Sequence, residues 1–195
     1  MKLFALALTA LLPCLAASSE ADSGKALGSP SAPIRIEVFS DFECPACKGL
    51  HEQILPLVMK DYVIPGKVFL VSREFPLAMH RYSREAASYA TAAARFGKYE
   101  QVADTLFKNQ VAWAASGKVW DTVAGVLTPA EAKKVLLLAK DPSVMSEVER
   151  DVEAGKAAGI NQTPTMIVTR GTSRFPVAGA VNYNLLRSML DGLLK

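Results

Sequence analysis

At 195 residues, half of them apolar, the chain can bury one full core, and one domain or one domain with an insertion fits that length. The formal charge of +3 comes from interspersed signs rather than a basic block, so nothing in it points to nucleic acid or an anionic membrane surface as a partner. The same composition excludes a disordered or fibrous chain.

Lys2 is followed by "LFALALTALLPCLAA", an apolar run too short to span a bilayer and ending in small residues, which reads as a signal peptide over residues 1–19. Cleavage near Ala16 to Ser19 removes Cys14 and leaves Cys44 and Cys47 as the only cysteines of the mature chain. Export also places them in an oxidising compartment, the periplasm or its equivalent. A membrane lipid anchor at Cys14 is not expected, because Pro13 stands where such processing sites want a small residue. Residues 20–33, ending in "GKALGSPSAP", are poor in large apolar side chains and read as a flexible leader, with folded structure beginning at Ile34.

"IRIEVF" alternates, with Ile34, Ile36 and Val38 on one face and Arg35, Glu37 and Phe39 on the other, and predicts a strand. A helix follows the two cysteines, with Leu50, Ile54, Leu57 and Val58 at helical spacing and Pro56 in its interior, where a kink is expected. "KVFLVSREF" gives a second strand, so a βαβ unit with parallel strands carries CxxC at its first strand-to-helix turn.

A helical block is expected from about 78 to 159. Tyr82, Ala86, Tyr89, Ala93 and Phe96 share one face of its first helix, and Gly97 is placed to end it. "TPAE" predicts a capping box on Thr128 and Glu131, with Pro129 at the first helical position. "DPSVMSEVERDVEAGKAAG" predicts a helix capped by Asp141, with Val144, Val148 and Val152 inward and its charges on a solvated face. Trp113 and Trp120 are expected in the core of the block. "TMIV", "RGTS" and "FPVAG" then read as a hairpin. Asn182 opens a last helix whose buried stripe is Leu185, Leu186, Met189, Leu190, Leu193 and Leu194.

The cysteine pair admits three readings. At a helix start, unpaired N–H groups and the helix dipole favour a thiolate on Cys44, and Cys47, one turn on, can attack a mixed disulfide formed there. As a staple the pair does little, since so short a loop gains about 2 kcal/mol against about 4.7 for a 100-residue one. As a metal clip it needs His51 and His80 to complete four ligands, and no second CxxC or HxxxH supports that. Redox exchange is favoured, and the other two stay open.

"VFSDFECPAC", "REFPLAMHRYSREAASYATAAARFGKY" and "GINQTPTMIV", in that order, resemble the DsbA-like thiol-disulfide oxidoreductases. The resemblance spans residues 34–195 and implies an α/β fold, the thioredoxin-like βαβ and ββα halves with an inserted α-helical domain. It implies an exported enzyme, acting on protein or peptide thiols and disulfides, with Cys44 the exposed attacking cysteine and Cys47 the resolving one. Pro164 would be a cis-proline facing them, with Thr163 offering its backbone to a substrate strand. No metal and no organic cofactor are implied, only the redox-active Cys44–Cys47 disulfide. A membrane redox-recycling partner follows from the family alone, and a monomer is expected. An oxidase is the first reading; a reductase or isomerase, or a non-catalytic binding module on the same fold, are the alternatives.

The chain departs from the pattern in places. Many thioredoxin-fold enzymes carry a buried acid six residues before the first cysteine; this chain has Val38, and Glu37 points to the opposite strand face. Glu43 is the candidate substitute proton carrier. Pro45 and Ala46 separate the cysteines, and the absence of histidine at Ala46 argues against a very oxidising potential. His80 is read as structural and His51 as an ordinary helix-surface residue.

Overall fold

A computed structural model describes residues 24–195. The expected signal peptide over residues 1–19 and Cys14 lie outside the described residues. The strands are β1 (Ala26–Leu27), β2 (Ile34–Ser40), β3 (Val68–Glu74), β4 (Thr165–Arg170) and β5 (Ser173–Ala178), in sheet order β1-β3-β2-β4-β5. β2 and β3 are parallel, with Ile34 opposite Val68 and Ser40 opposite Glu74, and β4 and β5 form the expected hairpin. Between β2 and β3 run α1 (Pro45–Gly49) and α2 (Leu55–Val58). Six helices separate β3 from β4: α3 (Ser83–Ala94), α4 (Tyr99–Lys108), α5 (Gln110–Ser116), α6 (Val119–Ala124), α7 (Pro129–Leu138) and α8 (Pro142–Ala157). α9 (Tyr183–Leu193) closes the chain.

Alternation along β2 sorts its residues between two cores. Ile34, Ile36 and Val38 join Leu50, Val58 and Tyr62 of the α1–α2 region, Met166 and Val168 of β4, and Leu186 and Leu190 of α9. On the other face Phe39 meets Phe75 edge to face at 6.2 Å, with Val152 of α8 beside them. Gly155 lets α8 lie this close, since a Cβ there would fall 2.5 Å from the Phe75 ring. The insert has its own core of alanines from α3 with Val102, Leu106, Trp113, Val123 and Val148, and Cys44 and Cys47 sit at its border.

Local signals mark the helix ends. Thr128 and Glu131 form the capping box, and Asp141 and Asn182 accept from the N–H groups of Ser143 and Asn184. Past α3, Gly97 adopts φ +73°, and the N–H groups of Gly97 and Lys98 close on the carbonyls of Ala94 and Ala93, a Schellman arrangement.

Four expectations are corrected. The leader is not flexible to Pro33: Ala26 and Leu27 pair antiparallel with β3, and Lys25 is 1% exposed. Lys25 is held by two charges of α8 that were expected on a solvated face, Asp151 at 2.5 Å and Glu147 at 3.2 Å. Instead of a simple kink at Pro56, the helix widens into π turns over Leu50–Ile54 and Met59–Val63, and the Leu55 N–H reaches back five residues to Leu50. Proline lacks an N–H and crowds the preceding turn, so wider turns relieve it. Leu185 is 72% exposed, outside the buried stripe of α9.

Candidate active site

Cys44 is the N-cap of α1 in extended conformation, and Pro45 takes the first helical position with its ring φ already suited to it. Ahead of it Asp41, 1% exposed, works in several directions. Its carboxylate accepts from the N–H of Glu43 at 2.8 Å and of Leu77 at 2.7 Å, and bonds His80 Nδ1 at 2.8 Å. Its own N–H donates to Cys47 Sγ at 3.4 Å, and its carbonyl accepts from the Cys44 N–H at 3.1 Å. The turn is also fastened from the insert. Gln110 Nε2 donates to the carbonyls of Phe42 at 2.7 Å and Cys44 at 2.9 Å, and Glu43 accepts from the Tyr82 N–H at 2.8 Å.

Opposite the helix start, the Thr163–Pro164 bond is cis and the Thr163 carbonyl lies 3.4 Å from Cys44 Sγ. The Thr163 hydroxyl is buried without another protein partner, so its proton can turn to that sulfur. Cys44 keeps 7% exposure against 1% for Cys47, so the attacking sulfur implied to be exposed is largely covered. Pro45 and Ala46 are exposed beside it.

The two sulfurs differ sharply in acidity. Cys44 is lowered to about 5 by the hydrogen bond from the Cys47 thiol, helped by Thr163 and by the N–H groups of Cys47 and Ala46 at the helix start, against the opposing effect of burial. Burial pushes Cys47 up, and its bond to Cys44 adds to the effect. The arrangement therefore separates a thiolate from a protonated thiol one helical turn away, as disulfide exchange requires.

The sequence-predicted residues thus converge: Cys44, Cys47, Thr163 and Pro164 meet, with Pro45 and Ala46 on the rim. Glu43 does not point to a sulfur; its carboxylate anchors the start of the insert. The histidines bond elsewhere than the cysteines, His80 to Asp41 and His51 to Asp104 at 2.6 Å with its ring 4.6 Å from Phe107. Among the described residues no group of three His, Cys, Asp or Glu side chains is gathered so as to hold a metal ion. Two further contributors are not among the residues the sequence singles out. Asp41 carried a local signal, since an Asp two residues before a bonded N–H is an Asx turn. Gln110, 66 residues from Cys44, carried none.

Comparison with known proteins agrees with this geometry. The chain is 38% identical over 52 residues to a probable disulfide bond formation protein D of Bacillus cereus, a match covering 27% of this chain and only 24% of that protein's length. Among solved structures it resembles Wolbachia pipientis alpha-DsbA1 (TM-score 0.72, 18% identity, 87% of this chain and 89% of that one). It also resembles a thioredoxin-like oxidoreductase from Silicibacter pomeroyi (TM-score 0.71, 26% identity, 88% and 92%). The thioredoxin family profile matches residues 20–191, so the chain belongs to the thioredoxin family, in the DsbA-like form with an inserted helical domain.

Proposed function

We propose that this protein is an exported thiol-disulfide oxidoreductase that oxidises protein substrates. The observation that carries the reading is the placement of Cys44 at a helix start, with its sulfur 3.4 Å from the Thr163 carbonyl, where the Cys47 thiol, Thr163 and the N–H groups of Cys47 and Ala46 lower it well below the ordinary thiol range. A stabilised thiolate favours the dithiol form and makes Cys44 a good leaving group, both of which drive electrons from substrate to enzyme. In the oxidised protein, a substrate thiolate attacks Cys44 Sγ; the Cys44–Cys47 bond breaks and Cys47 leaves with the electron pair. A second substrate thiolate then attacks the mixed disulfide and releases Cys44 as a thiolate, so the substrate gains a disulfide and the enzyme ends as the dithiol. Thr163, beside the cis-proline, supplies backbone for an extended substrate strand, and the exposed Pro45 and Ala46 border the approach. The cycle needs no organic cofactor or metal. A membrane redox partner would reoxidise Cys44 and Cys47, and a monomer suffices for this chemistry.

The reduction potential of the Cys44–Cys47 pair, equilibrated against glutathione, tests the direction. A value above about −180 mV is expected; one near −270 mV would make the protein a reductant instead. The Cys47→Ser variant should accumulate mixed disulfides through Cys44 that diagonal gels resolve, and their absence would count against exchange altogether.

A further inference from the structure

Cys47 lines a cavity of about 170 Å3 bounded by the sheet, the α1–α2 region and α4. Ser40 and Ser72 line it from the strands, and Tyr99, Glu100 and Asp104 from α4. A water needs roughly 10–15 Å3 and two to four polar partners, and this cavity offers both several times over. Ser40 lines the cavity beside Cys47, and its hydroxyl acts on the thiol in the direction opposite to burial, which sets a polar group between the sulfur and the rest of the wall. Val38 lines the same cavity but carries no exchangeable proton.

A buried thiol cannot attack without losing its proton, nor leave without regaining one, and Cys47 is 1% exposed. We propose that the carboxyl of Glu100 exchanges the Cys47 proton through water in this cavity, so that the inserted helical domain serves the resolving sulfur. The proposal rests on Cys44 and Cys47 being the reacting pair. Among the described residues, no hydrogen bond or ion pair engages the Glu100 carboxyl, whereas Asp104 is bonded to His51 and the Tyr99 hydroxyl to Glu74 at 2.8 Å. Burial and the neighbouring Asp104 raise Glu100 to about 7, so both of its protonation states are populated near neutral pH, the condition for efficient proton exchange. The other titratable groups on the cavity wall are His51, Tyr99 and Asp104. Glu74, raised to about 8 by burial, lies behind Tyr99.

When the Cys47 sulfur attacks a mixed disulfide, the Cys44–Cys47 bond forms and the bond from Cys44 to the substrate sulfur breaks. The electron pair leaves on the substrate thiolate, and the Cys47 proton passes through water to the Glu100 carboxylate. In the oxidising direction Cys47 leaves with the electron pair and takes the proton from the Glu100 carboxylic acid.

The test is the pH profile of mixed-disulfide resolution by stopped flow, in the wild type and in Glu100→Gln, Glu100→Asp, Asp104→Asn and Glu74→Gln. The wild-type rate should rise through an inflection near pH 7. Glu100→Gln should remove that inflection and slow resolution about 100-fold. Glu100→Asp should restore an inflection, and Asp104→Asn should move it to lower pH by removing the neighbouring negative charge. An inflection that survives in Glu100→Gln, or disappears in Glu74→Gln instead, overturns the proposal while leaving the dithiol reading intact. Failure of the wild type to form any mixed disulfide defeats the dithiol reading, and the proposal with it.

Discussion

The acidity of one sulfur decides what the site can do, and single groups set it. Cys44 is lowered to about 5 chiefly by the Cys47 thiol, then by Thr163 and two backbone N–H groups. Of these, only the Thr163 hydroxyl can be removed without disturbing the cysteines or the helix. Thr163→Val keeps the volume and the carbonyl facing Cys44 but leaves the thiolate one donor short. The Cys44 titration, followed by thiolate absorbance, should therefore move above about 5, and the pair should become less oxidising. An unchanged titration would show that Thr163 acts through its backbone alone. Glu43 is the contrasting case. Adjacent to Cys44 in sequence, it spends its carboxylate on the Tyr82 N–H, so chain proximity was a poor guide to its task.

At the scale of elements, the active-site turn is fastened to the insert by Gln110 of α5, and the N-terminal segment is fastened to it by Lys25. The Lys25 ammonium is 1% exposed and bonded to Asp151, which also accepts from Arg73 at 3.1 Å, while Glu147 pairs with Arg95 at 2.6 Å. Removing one partner from a buried set leaves opposite charge uncompensated, so Lys25→Met should cost about 3 kcal/mol, read from the urea midpoint. An unmoved midpoint would mean that residues 24–27 do not dock on the sheet in solution. The Lys25 contacts also show where the sequence was legible. Caps at Thr128, Asp141 and Asn182, the parallel pairing of β2 and β3 and the helical insert were readable, because each is written in neighbouring residues or in a period. The docking of Lys25 on Asp151 spans 126 residues, and a lone lysine in a Ser- and Gly-rich stretch carries no sign of it. Asp151 and Glu147 looked solvated for the same reason: helical spacing marks an apolar face, not a charged partner arriving from elsewhere.

For the molecule as a whole, both cysteines are buried against the core of the insert, so the redox state of the pair should be felt in global stability, and pH provides the lever. In the folded dithiol form Cys44 titrates at about 5, against 9.0 for an unperturbed thiol. With the folded value below the unfolded one, the unfolded chain binds more protons between those limits. The Cys44 contribution to the stability of the reduced protein therefore rises with pH from about 5 to about 9, and is lost as pH falls through about 5. Glu74 and Glu100 act oppositely: their folded values, about 8 and about 7, lie above the ordinary 4.5, so the stability they lend is fully present below 4.5 and lost as pH rises toward neutrality and beyond. Both carboxyls are present in the two redox forms, whereas the Cys44 thiol exists only in the reduced one. Subtracting the urea stability of the disulfide form from that of the dithiol form at each pH therefore leaves Cys44 as the main titrating contribution. The difference should grow in favour of the dithiol form across pH 5 to 9. A difference that stays flat would mean that the folded protein does not hold Cys44 as a thiolate, and the oxidising direction would lose its driving force.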